Sequence, residues 1–175
     1  MAITKIQSES LDLTDDYTFT GKISGQSSPA FLVRAGSDLT VSDASFVKVN
    51  LSTVVFDTDS AYDNTTNYRF TPQVAGKYLV YGNLELSSGT SGSHSIQACY
   101  MLFYKNGSTY ARFRHDPDND EFATFCGGSI VMDFNGSTDY LEAYVYLDTS
   151  NSQTPNIEGH LTQNRSFLGA YRIGN

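Results

Sequence analysis

A short acidic run in the second half of the chain is its densest group of potential metal ligands. Asp116, Asp118 and Asp120 place carboxylates at alternate positions. A hard cation such as Ca²⁺ favours several oxygen ligands from one short segment. The run departs from an EF-hand loop, because Glu121 and Gly127 stand where that loop has Gly and a bidentate Glu. We therefore predict either a calcium site at these three aspartates or a solvated acidic loop.

Catalytic chemistry has no recognisable motif in the sequence. His94, His115 and His160 all lie in polar surroundings typical of loops, and no G-x-S-x-G, H-E-x-x-H or phosphate-binding glycine loop occurs. Cys99 and Cys126 both lie in β-type runs, where buried free thiols are expected, with a disulfide between facing strands as the alternative. The sequence therefore predicts a protein that is not an enzyme, with no cofactor other than the calcium considered above.

The stretch from Phe46 to Tyr81 organises the surrounding chain and has no helical pattern. Alternating or β-branched residues fill positions 47–56, which suits strands with one buried face. An Asp- and Asn-rich turn over 57–64 follows, and Pro72 ends the next short strand because proline donates no backbone hydrogen bond. Three strands joined by turns are therefore predicted here.

Two Asn-Gly pairs punctuate the second half of the chain. Asn106-Gly107 and Asn135-Gly136 each lie between predicted strands. Asn-Gly is a strong hairpin signal because both residues accept positive φ angles. We predict a tight hairpin turn at each pair.

Composition favours one all-β domain. The chain has 175 residues, 13% aromatic residues and no Trp, which suits a β-sandwich large enough to bury a core without disulfides. The balance of 11 basic against 19 acidic residues gives a net charge of −8, which argues against nucleic acid or an anionic membrane as a partner. No stretch has the length of a membrane span, and we expect no secretory signal over the first 16 residues.

The first 28 residues differ from the rest and form a predicted N-terminal arm. Their apolar residues recur mostly at the strand period, but Ser, Asp and Thr interrupt them. A small polar linker over 24–28 ends the arm, and a head domain is predicted over 29–175. The pattern predicts an extended arm with a short hairpin. Its apolar residues include Ile3, Ile6, Leu11, Leu13, Tyr17 and Phe19.

Two predicted strands carry large apolar residues on both faces. Over 96–105, Tyr and Leu on one face alternate with Cys, Met and Phe on the other, and over 140–147 tyrosines alternate with aliphatic residues. A strand with a solvated outer face is expected to alternate with polar residues instead. We therefore expect a protein partner or the N-terminal arm to cover these outer faces. A one-residue slip of register exchanges the two faces, which leaves open which aromatics point outward.

Short blocks along the chain occur in a characteristic order. They are F-x-K-V from Phe46, V-V-F-D from Val54, A-Y-D-N-x-T from Ala61, Y-R-F-T-P from Tyr68, V-A-G-K-Y-L-V from Val74, L-F-Y-K-N-G from Leu102, G-S-I-V-M-D-F from Gly128, the run from Leu141 to Tyr146, and F-L-G-A-Y from Phe167. In this order the blocks resemble the globular head of the C1q family, a trimeric jelly roll shared in shape with tumour necrosis factor. The resemblance covers roughly Pro29 to Gly174.

The resemblance implies an all-β, C1q/TNF-like jelly-roll sandwich of about ten antiparallel strands. It also implies a homotrimer, because in that family outer aromatic faces meet around a three-fold axis. Large rigid aromatics contribute strongly to such association. The predicted trimer-facing residues are Tyr100, Phe103, Tyr140, Tyr144 and Tyr146.

The arm is similar to short segments found ahead of such heads in tailed-bacteriophage virion proteins. This second resemblance implies a structural or adhesion protein of a virion that binds other virion proteins, or another partner, through its arm. The attachment residues that it implies are Ile3, Ile6, Leu11, Leu13, Tyr17 and Phe19. The Ser- and Gly-rich loops 87–95 and 148–155 are either tolerant solvent loops or a recognition site for a host-surface glycan or protein. The alternative is an extracellular C1q-like ligand or lectin of a cellular organism.

Overall fold

A computed structural model describes residues 28–89, 94–150 and 154–174. These residues form nine strands of at least four residues and four strands of two residues. The predicted strand over 96–105 has the same bounds in the structure. The strands are β1 (Ala30–Arg34), β2 (Leu39–Thr40), β3 (Ser45–Lys48), β4 (Thr53–Asp57), β5 (Tyr62–Asp63), β6 (Arg69–Phe70), β7 (Gly76–Ser87), β8 (Ile96–Lys105), β9 (Ser108–His115), β10 (Ala123–Phe134), β11 (Leu141–Thr149), β12 (Asn156–Ile157) and β13 (Phe167–Gly174).

The strands form two antiparallel sheets that pack face to face. The long strands of the first sheet lie in the order β4, β1, β13, β7, β10. The short β12 pairs with the end of β7, and β2 pairs with β12. In the second sheet, β11, β8 and β9 are neighbours, and β3 and the β5–β6 pair lie along β11. This arrangement confirms the all-β sandwich, and β10 and β9 are left as edge strands of the two sheets.

The core lies between the sheets and is built from their inward-facing alternate residues. In β7, the residues Tyr78, Val80, Leu84 and Leu86 are fully buried, as the period of two requires. An aromatic cluster closes one end of the core, where the Phe31 and Phe70 ring centroids lie 4.2 Å apart. Burial of this continuous apolar layer is the main contribution to folding.

The two Asn-Gly pairs adopt different turns. Asn106 and Gly107 both have positive φ angles, 53° and 77°, and β8 pairs directly with β9 around them, so this predicted hairpin is confirmed. The prediction for Asn135-Gly136 is wrong, because β10 and β11 lie in different sheets. The Asn135 side-chain oxygen instead accepts the backbone N–H groups of residues 137–139 at 3.0 Å each, which turns the chain across the sandwich edge.

The ends of the sandwich carry different parts of the chain. Ala30 aligns with Tyr171 and Tyr171 with Leu79, so the chain enters beside the beginning of β7, which we call the entry end. The loops that follow β7 and β11 lie at the opposite, loop end. There the Ser150 N–H donates to the Ser95 carbonyl at 2.8 Å, so the two predicted recognition loops are neighbours where the structure describes them.

The predicted N-terminal arm falls almost entirely outside the described residues. Its attachment residues Ile3, Ile6, Leu11, Leu13, Tyr17 and Phe19 lie there too. The boundary between arm and head therefore stays a prediction. Across residues 28–89, 94–150 and 154–174, no helix has the length and apolarity needed to cross a membrane.

Candidate interaction surfaces

An aromatic ladder crosses the outer face of the second sheet. The ladder consists of four successive register partners, which are Phe46 on β3, Tyr146 on β11, Tyr100 on β8 and Arg114 on β9. The ring centroids of Phe46 and Tyr146 are 5.0 Å apart, and those of Tyr146 and Tyr100 are 4.9 Å apart and nearly parallel. The ladder therefore links four strands through side-chain contacts of the kind that stabilise sheets.

Charged side chains contact two tyrosines of this ladder, Tyr100 and Tyr146. The guanidinium carbons of Arg112 and Arg114 each lie 5.3 Å from the Tyr100 ring centroid, a favourable cation–π arrangement. Arg114 also forms an ion pair with Asp116. Tyr146 donates a long hydrogen bond of 3.4 Å to Asp148. Burial, followed by the nearby Asp148 charge, raises the pKa of Tyr146, so its hydroxyl stays protonated at neutral pH.

A second tyrosine pair lies beside the ladder. The Tyr144 and Tyr104 ring centroids are 4.0 Å apart, and next to them Lys48 and Glu142 form an ion pair of 2.5 Å. These groups cover one another, so the four tyrosines at positions 100, 104, 144 and 146 are half-buried. Among these five aromatic residues only Phe46, which is 53% exposed, lies largely open to solvent. The outward tyrosines predicted from the sequence are thus largely covered by their own neighbours.

Two of the predicted interface residues lie elsewhere. Phe103 is fully buried in the core and packs edge-on against Phe113 at 5.2 Å, so its assignment to an outer surface is wrong. The reason is the pleat, which directs Phe103 and Tyr100 to opposite faces of β8. Tyr140 precedes β11 and lies under the Arg69 guanidinium at 4.5 Å, at the hairpin side of the sheet.

The outer face of the first sheet is a second apolar surface, which we call the first-sheet face. Val131 of β10, Leu79 of β7 and Tyr171 of β13 are register partners across three strands. Leu32 of β1 and Phe56 of β4 are partners on the same side of the sheet. The first-sheet face consists of Leu32, Phe56, Leu79, Tyr81, Val131 and Tyr171.

Three residues of the first-sheet face are more exposed than the tyrosines of the aromatic ladder. Phe56 is 43% exposed, Val131 42% and Tyr171 44%. The Tyr81 ring lies across Gly169, where an added Cβ would come within 2.6 Å of the ring, so the small residue is what lets the tyrosine lie on the sheet. Contiguous exposed apolar patches of this kind usually mark sites of protein association.

Ion pairs border the first-sheet face at both ends. Lys77 and Asp133 approach to 3.4 Å at the entry end. Towards the loop end, Arg165 binds Glu85 at 2.5 and 2.9 Å. This hydrogen bond is the main reason that the pKa of Glu85 is lowered, so Glu85 is charged at neutral pH. An apolar centre with a polar rim is the usual anatomy of a protein interface.

The acidic run forms an open depression of about 380 Å³ between β9 and β10. Asp116 is engaged by Arg114, and Glu121 contacts the His115 ring nitrogen at 3.1 Å. Hydrogen bonds from Thr124 and then His115 lower the pKa of Glu121. In the described part of the chain, no three His, Cys, Asp or Glu side chains come together as a metal site. Calcium at Asp116, Asp118 and Asp120 therefore stays a prediction without an assembled ligand set.

The two cysteines are free thiols in the core. Cys99 on β8 is fully buried and Cys126 on β10 is 4% exposed. They come from opposite sheets. The influence of the Cys99 thiol, followed by burial, raises the pKa of Cys126 above its usual range.

Comparisons by sequence give no match. No family model matches the chain, and no curated protein matches it either. The sequence alone therefore assigns the chain to no family beyond the resemblance of its short blocks.

Comparisons by structure identify the fold. Murine APRIL, in a crystal structure at pH 8.0, is similar with a TM-score of 0.58 and 12% identity, over 84% of this chain and 100% of that chain. Eiger TNF from S. frugiperda is similar with a TM-score of 0.60 and 10% identity, over 85% of this chain and 94% of that chain. At these identities the likeness concerns fold alone. The chain has the jelly-roll fold of the C1q and tumour necrosis factor type.

Proposed function

We propose that this protein is a non-enzymatic homotrimeric head whose copies associate through the first-sheet face and which acts by binding. The observation that carries the proposal is the contiguous apolar centre of that face with its two polar rims. Exposure of Phe56, Val131 and Tyr171 to water contributes no stability to a monomer, whereas their burial in an interface is favourable in free energy. Closed rotational symmetry is the usual way for identical chains to cover such a face.

This choice of surface differs from the tyrosines that the sequence suggested. Tyr100, Tyr144 and Tyr146 are covered by one another and by Arg112 and Arg114. They gain less from a partner than the more exposed first-sheet face does. We therefore place the self-association on the first sheet and leave the aromatic ladder on the outside of the trimer.

The two ends of the sandwich suit a bound, projecting head. The chain enters at one end, and the paired Ser- and Gly-rich loops lie at the other. These two ends are well separated, because the length of β7 from Leu79 near the entry end to Ser87 at the loop end is roughly 26 Å at the usual strand rise. Three copies would then hold three equivalent loop ends together, which gives avidity for a repeating partner.

Three matched substitutions test where the copies meet. Val131→Lys places a charge in the centre of the first-sheet face, Phe46→Lys places one at the open end of the aromatic ladder, and Leu161→Lys places one on a loop where the side chain is 77% exposed. Burying an unpaired charge costs about 3 kcal/mol or more. We expect V131K alone to lower the native mass measured by light scattering, with all three proteins folded by circular dichroism.

A different pattern would locate the contact elsewhere. Dissociation by F46K with V131K still trimeric would move the interface to the aromatic ladder. Dissociation by L161K would show that the method responds to charge in general and would remove the support for the first-sheet face.

The setting that we propose is a bacteriophage virion. Its support is the similarity of residues 1–28 to segments found ahead of such heads in tailed-bacteriophage virion proteins. In this setting the arm binds other virion proteins and the loop end faces outward as a decoration, short fibre or host-binding knob. Peptide mass spectrometry of purified particles made from the encoding genome tests it. Absence from the particles, with presence in the medium, would favour an extracellular ligand or lectin instead.

A further inference from the structure

A second row of outward-facing residues lies beside the aromatic ladder. It consists of four register partners, which are Lys48 on β3, Tyr144 on β11, Leu102 on β8 and Arg112 on β9. Leu102 lies on the face of β8 opposite the core residues beside it, yet it is only 2% exposed. We call the ladder and this row together the second-sheet face. Its centre is therefore closely packed before any partner binds.

Arg112 differs from the other cations of the second-sheet face. The other two each form an ion pair with a carboxylate. The exposed Arg112 guanidinium lies 5.3 Å from the Tyr100 ring centroid, and it makes no hydrogen bond or ion pair with any residue that the structure describes. A guanidinium carries five N–H donors in a planar fork that fits a carboxylate. Arg112 therefore offers a positive charge and hydrogen-bond donors that its own chain does not use.

Tyrosine hydroxyls supply further donors around Arg112. Those of Tyr100, Tyr104 and Tyr144 have no hydrogen-bond partner within residues 28–89, 94–150 and 154–174. The rings are stacked in two pairs with centroids 4.9 and 4.0 Å apart, so they are ordered before binding and lose little side-chain entropy. The complement of such a surface is a negatively charged group rich in acceptors.

We propose that the second-sheet face binds an acidic segment of another protein and that Arg112 binds a carboxylate of that segment. Tyrosine and arginine are enriched among the residues that dominate binding at protein interfaces, and the exposed Phe46 adds an apolar contact at the end of the ladder. The net charge of −8 repels an acidic partner over the chain as a whole, so the attraction is local and centred on Arg112. The inference goes beyond the proposed trimer and requires only that this face lies outside it.

The orientation of the rings favours a protein segment over an acidic saccharide. The two tyrosine pairs lie within 14° and 23° of parallel, so each ring uses one face against its neighbour. Two guanidinium groups also lie over the Tyr100 ring. The rings therefore present edges and hydroxyls to a partner, whereas a sugar ring stacks on an open aromatic face.

The test uses the full chain and a displayed library of random dodecapeptides. We expect the peptides selected on the natural protein to contain Asp or Glu, and titration of synthetic copies gives their affinities. Arg112→Gln should weaken binding roughly tenfold or more, because a hydrogen-bonded charge loses its partner. Gln163→Glu is the matched control, since it changes the net charge by the same amount at an exposed loop position. It should leave the affinity unchanged.

A second variant tests the face even where R112Q fails to fold. Tyr104→Phe removes one hydroxyl and keeps the ring, so we expect a loss of affinity that is smaller than that of R112Q but absent from Q163E. Both face variants should keep the native mass of the natural protein. A change in that mass would place this face in the contact between copies and would overturn the inference.

Three other results would also overturn it. The first is a selection that yields no peptides or peptides without acidic residues. The second is acidic peptides that bind R112Q and Y104F as tightly as the natural protein. The third is binding of the natural protein, but not R112Q, to an array of sialylated and uronic acid saccharides while no acidic peptide is selected, which would assign the face to an acidic saccharide.

Discussion

At the scale of single residues, Asp63 determines the shape of the acidic turn before β6. Its carboxylate accepts the backbone N–H groups of Thr65, Thr66 and Asn67 at 2.9–3.0 Å and the Asn67 side chain at 2.8 Å. These hydrogen bonds lower the pKa of Asp63 well below its usual range. A carboxylate therefore does here what the sequence led us to expect of Asp-rich turns, which is to satisfy nearby backbone.

This pKa shift gives a prediction about pH. Because the folded-state pKa of Asp63 is lowered, its stabilising contribution is fully present above the unfolded-state pKa of about 4 and is lost as pH falls below it towards the folded value. Asp63→Asn should lower the unfolding midpoint at pH 7, and the gap from the natural protein should narrow below about pH 4. Asp118→Asn, in the exposed acidic loop, serves as the control.

Thermal unfolding followed by circular dichroism between pH 7 and pH 2 measures the effect. A gap between D63N and the natural protein that stays constant over this range would show that the charge of Asp63 is not what stabilises the turn. A D118N variant with the same loss as D63N would point to net charge instead.

At the scale of elements, the Asn106-Gly107 turn sets the register of β8 and β9. Both residues have positive φ angles, and Gly107 tolerates its angle because it has no Cβ. The site itself has room, since the nearest atom to an added Cβ is the Tyr140 hydroxyl at 3.4 Å. A substitution at Gly107 therefore tests backbone conformation with little steric clash.

We predict that Gly107→Ala destabilises the protein by about 1 kcal/mol, the approximate cost of a left-handed conformation for a residue with a Cβ. Gly174→Ala is the matched control, since no atom lies within 4 Å of its added Cβ and its φ is not in the left-handed region. Denaturant unfolding measures both. Equal midpoints for G107A and the natural protein would mean that the turn relaxes to another type.

Strand β8 and the turn at Asn135-Gly136 show what sequence patterns can and cannot predict. Alternation gave the bounds of β8 because one of its faces is continuously buried, as at Cys99 and Met101. The turn at Asn135-Gly136 could not be assigned, because an Asn-Gly pair contains no information on whether the next strand joins the same sheet. The answer depends on side-chain bonds from Asn135 and on long-range pairing.

At the scale of the whole molecule, the candidate interface could not be found from any one segment. The first-sheet face takes one or two residues from each of five strands, which become neighbours only through the register of the sheet. The period of two puts Leu79 and Tyr81 on the face of β7 opposite the buried Tyr78 and Val80. Nothing local indicated that Val131 and Tyr171 would lie beside them, because that depends on contacts between distant parts of the chain.

The outward-facing tyrosines were predicted from the sequence to form an interface, but the structure shows that their own neighbours cover much of them. Their outward pattern in the sequence was real, but the sequence did not show that Arg112, Arg114 and Phe46 would pack over and beside them. An apolar pattern on a strand reports which residues share a face. It does not report how much of that face its own neighbours already cover.

The native mass of the unmodified protein, followed by light scattering over a dilution series, tests whether the head is a trimer. We predict a mass of about three times 19.2 kDa that persists to low concentration, because the first-sheet face is apolar at its centre. A protein that stays at 19.2 kDa at every concentration would contradict it and would leave the exposed first-sheet face without a partner copy.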